Sequence, residues 1–205
     1  MKVPSAKLER ELLAAGYQTI AGLDEAGRGS WAGPVVAAAF VYDPLLKKIK
    51  NIRDSKLLTA LSRERLASQL EKDFDFGVGV VASAVIDASG IVAAIKLAME
   101  QAIAGLKEPP QYLLIDALRL ENFGSRQQGI IKGDQKIMTI AAASIMAKVT
   151  RDHLMDYYHQ QYRKYGFDNH KGYGTRAHAA AIKRYGACPI HRLSYKPLNG
   201  FRSLV

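Results

Sequence analysis

The stretch TIAGLDEAGRGSWAGPVVAAAFVY, residues 19–42, decides the architecture. Thr19–Asp24 and Val35–Tyr42 are short, unbroken apolar runs, which read as buried strands. Between them lies a glycine-rich turn, GRGSWAGP. An acid, Asp24, closes the first run. A carboxylate at the end of a buried strand costs free energy unless a cation or several donors compensate it. Neighbours in a regular strand point to opposite faces. Asp24 and Glu25 can therefore share one site only if the strand breaks between them, and the following Gly27 is expected to permit that break.

Working outward, a third strand is expected over Phe76–Val85, completing an antiparallel meander. Asp87 reads as the N-cap of a helix through Ala104, where Ile91, Ala94, Ile95, Ala98 and Met99 recur at helical spacing. Pro109-Pro110 stops it. Tyr112–Asp116 (YLLID) is a short buried strand that again ends on an acid, and Gly129–Lys132 is an expected edge strand. From Lys136 the period becomes helical, with Ile137, Ala141, Ile145 and Val149 on one row. This helix is expected to run, with a break, to about Tyr165. The loop HKGYGT and a helix from Arg176 to about Tyr185 follow. Strands first, then strands alternating with helices, indicate an α/β domain with a mixed sheet and a helical C-terminal appendage.

The chain has 205 residues and a net charge of +10. From residue 145 onward eleven Lys/Arg face three Asp/Glu, a net +8, whereas the first 144 residues carry 18 against 16. Tyrosines 157, 158, 162, 165, 173 and 185 interleave with that basic third, a pattern that suits a nucleic-acid partner or simply a solvated basic surface. The single cysteine, Cys188, excludes an internal disulfide and suits a reduced compartment. The longest apolar run, residues 32–42, is too short to cross a bilayer. A soluble cytoplasmic monomer is expected.

Asp24, Glu25, Asp116 and Asp134 are the carboxylates placed beside apolar or glycine-rich elements. An all-oxygen donor set suits Mg²⁺ or Mn²⁺ rather than zinc. By position alone Asp134 reads as a helix N-cap. Gly27, Arg28 and Gly29 let backbone approach a ligand while the guanidinium grips phosphate. Asp54-Ser55-Lys56 reads either as a phosphate contact or as a cap before the helix that follows. Ser144, Lys148 and Arg151 form one stripe, which either tracks a phosphate backbone or faces solvent. His170, His178, Cys188 and His191 match no compact zinc pattern. Nucleophile-elbow and P-loop motifs are absent.

Taken as a set, AGLDEAGRGSWAGPVVAAA, RDSKLLT, YLLIDAL, IKGDQKIMTIAAASIMAKVTRDHLM and HKGYGT with RYGACPIHRLSY resemble the type 2 ribonuclease H family. The resemblance implies a ribonuclease-H-like mixed sheet flanked by helices over residues 1–165. It also implies a basic helical extension over 166–205, packed into the same unit. Asp24, Glu25, Asp116 and Asp134 become the ligands of two divalent ions, Mg²⁺ or Mn²⁺, which displaces the N-cap reading of Asp134. Gly27, Arg28, Gly29 and Tyr173 become the residues that sense a ribonucleotide's 2′-hydroxyl. Lys56 becomes a phosphate contact, and Ser144, Lys148 and Arg151 become further substrate contacts. The implied substrates are RNA·DNA hybrids and duplex DNA with embedded ribonucleotides. Two local departures stand out: Ser30-Trp31 where many members carry Pro and Leu, and a tail ending LSY where Phe is commoner at Tyr195. The rival readings are another ribonuclease-H-like nuclease, such as a type 3 enzyme, and a non-catalytic RNA-binding protein with structural acids.

Overall fold

The computed structural model describes residues 3–49, 52, 55 and 58–198. Helix α1 (Lys7–Ala14) leads into strand β1 (Ile20–Ala26), which turns back as β2 (Val35–Val41). Helix α2 (Ala60–Asp73) precedes β3 (Phe76–Val81), and helices α3 (Ser83–Ser89) and α4 (Ile91–Ala104) follow it. Strands β4 (Tyr112–Asp116) and β5 (Gln127–Ile130) complete a sheet of order β3-β2-β1-β4-β5. The expected meander is present, since β1–β2 and β2–β3 pair antiparallel, whereas β4 and β5 add on parallel to β1. Helix α5 (Met138–Gln161), α6 (Phe167–His170) and α7 (Arg176–Tyr185) follow in the C-terminal third. Among the described residues no helix is long and apolar enough to cross a membrane.

Strand alternation divides the core in two. Ile20, Ala26, Val36, Ala38, Phe40 and Leu114 pack toward α5, with α1 and α2 on the same side. Ala21, Leu23, Val35, Ala37, Ala39, Leu113 and Ile115 pack toward α4. The sheet's small residues let both helices come close. A Cβ on Gly22 would stand 2.4 Å from the backbone carbon of Thr139, and one on Gly79 would stand 1.9 Å from the carbonyl oxygen of Ala98. Helix α5 therefore lies almost directly on β1, with Ile140 to Ala147 buried along it.

Several boundaries differ from expectation. The third strand stops at Val81, and Ser83–Ser89 is a helix, because Ala82 to Ala84 favour helix over strand once the alternation ends. Asp87 is consequently not an N-cap. It sits inside α3, where its carboxylate accepts from the backbone N–H groups of Leu193 and Ser194 at 2.9 and 3.0 Å. Gly90, at φ +82°, leads α4 instead. The edge strand begins two residues earlier than expected. Tyr162 ends α5, as expected of a helix with a break before Tyr165.

Candidate active site

Parallel pairing sets Leu23 against Ile115, so Asp24 and Asp116 emerge side by side at one end of the sheet. Both lie on the α5 face, in phase with Ile20 and Leu114. Asp24 is 6% exposed. Burial pushes its carboxyl well above the usual carboxylate range, and the neighbouring charges of Glu25 and Asp116 push it further. Against this it has the Ser144 hydroxyl and the Glu25 N–H, the latter at 2.7 Å. Asp134 is buried in a single 3₁₀ turn, Gly133–Gln135, between β5 and α5. The preceding residue ties that turn to the site, because the Gly133 N–H donates to Asp116 Oδ1 at 2.7 Å. Asp134 does not cap α5; Ile137 holds the N-cap position.

The expected strand break is not there. Strand β1 runs through to Ala26, with Asp24 opposite Ala38 and Glu25 opposite Ala37. Unbroken pairing does not carry the Glu25 carboxylate away from Asp24: its charge is the second-largest cause of the rise at Asp24, and its Oε1 also lies 3.6 Å from Arg28 Nη1. Among the described residues no three His, Cys, Asp or Glu side chains are already closed around one point. The donor set nonetheless fits a hard divalent cation. It is all oxygen, Asp24 and Asp134 are buried, and the charges of Glu25 and Asp116 crowd Asp24.

The turn after β1 is built in the opposite sense. Gly27 has φ +93°, and a Cβ there would stand 2.0 Å from Arg151 Nε. Two fully buried arginines hold this turn from beneath. Arg151 donates to the carbonyls of Pro34, Ala32 and Lys171 at 3.0, 3.1 and 2.9 Å. Arg192 donates to those of Gly33, Pro34 and Arg28 at 3.0, 3.0 and 3.1 Å. Burial draws the Arg151 guanidinium down to about 10, so it stays charged at neutral pH. Tyr173, 38% exposed, lies beside this clamp, with Arg151 Cζ 5.5 Å and Lys148 Nζ 5.8 Å from its ring centre.

Similarity to known proteins shows which family the chain belongs to. The family model for ribonuclease HII matches residues 21–198. The chain belongs to the ribonuclease HII family. It is accordingly a ribonuclease H, a hydrolase of nucleic acid. A ribonuclease HII of Ruminiclostridium cellulolyticum is 50% identical over 188 residues, covering 91% of this chain and 73% of that one. A ribonuclease HII of Chloroflexus aggregans is 46% identical over 200 residues, covering 95% and 94%. The crystal structure of ribonuclease H2 from Pyrococcus horikoshii superposes with a TM-score of 0.72 at 30% identity, covering 88% of this chain and 95% of that one.

The expected stripe on α5 resolves into three different roles. Ser144 is buried against Asp24 and Ser55, its Oγ 3.0 Å from Ser55 Oγ. Lys148 pairs with Asp152 at 2.6 Å. Arg151 neither tracks an exposed backbone nor faces solvent; all its donors point into the turn, because a guanidinium this deep must satisfy carbonyls. Lys56 and Asp54 lie outside the described residues.

Three residues that brace the site escaped the sequence reading. Glu9, fully buried on α1, accepts from the Thr139 N–H and hydroxyl at 3.0 and 3.1 Å and so caps α5 from a distance. Its burial raises its carboxyl above the ordinary range. Arg192 and Tyr195 complete the turn clamp. A lone acid on an amphipathic helix, or a lone arginine in a loop, carries no periodic signal that would mark it as buried.

The histidines have a packing role. His178 and His191 share an Nε2–Nε2 hydrogen bond of 3.0 Å, His170 stacks on His178 at 4.4 Å, and Cys188 Sγ lies 3.1 Å from His191 Nδ1. Trp31 fits flat against Gly174 and near the His178 ring, which joins the turn to the Tyr173 loop. The Ser30 N–H closes the turn on the Gly27 carbonyl at 3.3 Å, a bond that a proline at this position would lack.

Proposed function

We propose that the chain is an endoribonuclease that cuts the RNA strand of RNA·DNA hybrids and incises duplex DNA on the 5′ side of an embedded ribonucleotide. It acts as a cytoplasmic monomer in ribonucleotide excision. The observation that carries this reading is the meeting, at one end of β1, of crowded desolvated carboxylates with a glycine turn clamped from below.

Asp24, Glu25, Asp116 and Asp134 are the residues that would hold two divalent ions, Mg²⁺ or Mn²⁺. Such a pair, when bound, supplies a water activated at neutral pH and stabilises the leaving oxygen of an in-line displacement. The chain's own part is to fix the oxygens. The sheet holds Asp24 beside Asp116, Gly133 ties the Asp134 turn to Asp116, and Ser144 orients the Asp24 carboxylate. Water oxygen bonds to phosphorus and the bond to the upstream 3′-oxygen breaks. The products are a 3′-hydroxyl and a 5′-phosphate, and no side-chain nucleophile is consumed.

Discrimination falls to Gly27, Arg28, Gly29 and Tyr173. Gly29 is exposed, and no heavy atom lies within 4 Å of where its Cβ would be, so a sugar can approach the backbone there. The 2′-hydroxyl is the group that distinguishes RNA from DNA at such a point. Lys56, Lys148 and the basic C-terminal third would meet phosphates, which makes binding salt-sensitive.

The test is a labelled DNA duplex with one ribonucleotide, incubated with and without Mg²⁺ beside an all-DNA control. The expected result is a metal-dependent nick 5′ of the ribonucleotide with the control intact. Cleavage of long hybrids alone would remove the sensing role, and tight binding without cleavage under Mg²⁺ or Mn²⁺ would overturn the enzyme reading.

A further inference from the structure

The tail segment Arg192–Tyr195 meets the glycine turn at one atom, the carbonyl oxygen of Arg28. The Tyr195 hydroxyl donates to it at 2.6 Å, and Arg192 Nη1 donates to it at 3.1 Å. Arg192 Nη1 also donates to the Tyr195 hydroxyl oxygen at 3.0 Å, and its guanidinium lies over the tyrosine ring at 5.3 Å. The hydroxyl is thus aimed by a fully buried cation. The tail itself is pinned to α3, where Asp87 accepts from the N–H groups of Leu193 and Ser194 and from the Ser194 hydroxyl.

Fixing this carbonyl has a consequence for the next atom pair. The Arg28–Gly29 peptide is planar and trans, as are all peptide bonds among the described residues, so its C=O and N–H point in opposite directions. With the Arg28 oxygen held inward by Tyr195 and Arg192, the Gly29 N–H is turned outward. Among the described residues no protein acceptor takes that N–H, and the space around Gly29 is open. Glycines on both sides of Arg28 leave the peptide plane free to rotate unless something holds it.

We propose that Tyr195 is a positioning residue for ribonucleotide recognition: its hydroxyl locks the Arg28–Gly29 peptide so that the Gly29 N–H is presented to the sugar of the substrate. A phenylalanine in its place would fill the same volume and leave the peptide held by Arg192 alone. This inference rests on the sensing role proposed above for the glycine turn.

The experiment compares wild type, Tyr195→Phe and Arg28→Ala on two substrates, a DNA duplex with one ribonucleotide and an all-RNA strand on DNA. Values of kcat and KM are measured separately, and thermal unfolding is followed for each protein. Loss of one neutral hydrogen bond predicts that Tyr195→Phe lowers kcat/KM on the single ribonucleotide about threefold to tenfold. The all-RNA hybrid, which offers a 2′-hydroxyl at every register, should lose less. Arg28→Ala should show the same direction of preference. Equal losses on both substrates, or no loss, for Tyr195→Phe would overturn the positioning role while a selective Arg28→Ala leaves the sensing turn standing. Should neither variant alter the preference, the sensing reading itself falls.

Discussion

Two regions within one turn of chain from each other both bury charge, and they do so in opposite ways. At the end of β1, Asp24 is buried beside Glu25 and Asp116 with too few donors, so its negative charge is a standing cost. Beneath the glycine turn, Arg151 and Arg192 are buried more deeply still, yet each places three nitrogens on carbonyl oxygens. In the first region, burial and like charge outweigh the donors at Asp24. The second is complete as it stands. Burial alone therefore does not mark a ligand site; burial with an unmet electrostatic demand does.

The comparison is sharpened most by Asp134→Asn. Loss of one carboxylate charge from the proposed ion site should lower turnover on the order of a thousandfold or more, with unfolding temperature unchanged or raised. Turnover at the wild-type rate in saturating Mg²⁺ would refute the assignment.

Arg151→Met makes the opposite test. It strands the carbonyls of Ala32, Pro34 and Lys171 in the interior, and at about 1–3 kcal/mol for each unmet group a destabilisation of at least about 3 kcal/mol is expected in chemical denaturation. A change below about 1 kcal/mol would mean that water replaces the guanidinium and that the clamp is not structural.

A third test uses pH. Burial lowers both His178 and His191 from 6.5 to about 4, so the folded chain keeps them neutral where the unfolded chain protonates them. The unfolded state binds more protons between those values, and stability should fall as pH drops from about 6.5 toward 4, by up to about 1.4 kcal/mol per pH unit for each histidine. Above that window they contribute no slope. Denaturation curves that stay parallel and unshifted from pH 7 to 5 would show that the pair is solvated.

The smallest expected effect is that of Tyr173→Ala, which should reduce incision at a single ribonucleotide about tenfold while changing duplex affinity less. Filter binding beside cleavage kinetics separates the two, and equal losses would remove Tyr173 from sensing.

These contrasts also show what the sequence could disclose. The strands, the long helix and Arg176–Tyr185 were legible because apolar period reports burial directly, and Asp24 and Asp116 were legible as acids closing apolar runs. The continuation of β1 through Glu25 was not, since Gly27 looks the same whether a strand ends at Asp24 or at Ala26. Asp87 passed for a cap because its true partners, Leu193 and Ser194, lie more than a hundred residues away. Arg151 looked exposed for a related reason. Its position on the helix suggested a stripe that tracks a phosphate backbone or faces solvent, while the carbonyls that take it inside come from different parts of the chain.

The most direct test of the unmet-demand account is thermal unfolding of wild type and Asp24→Asn with and without Mn²⁺. The prediction is that Asp24→Asn is at least as stable as wild type without metal, and that Mn²⁺ raises the unfolding temperature of wild type but not of the variant. A variant clearly less stable than wild type in the absence of metal, or an equal Mn²⁺ shift in both proteins, would contradict it.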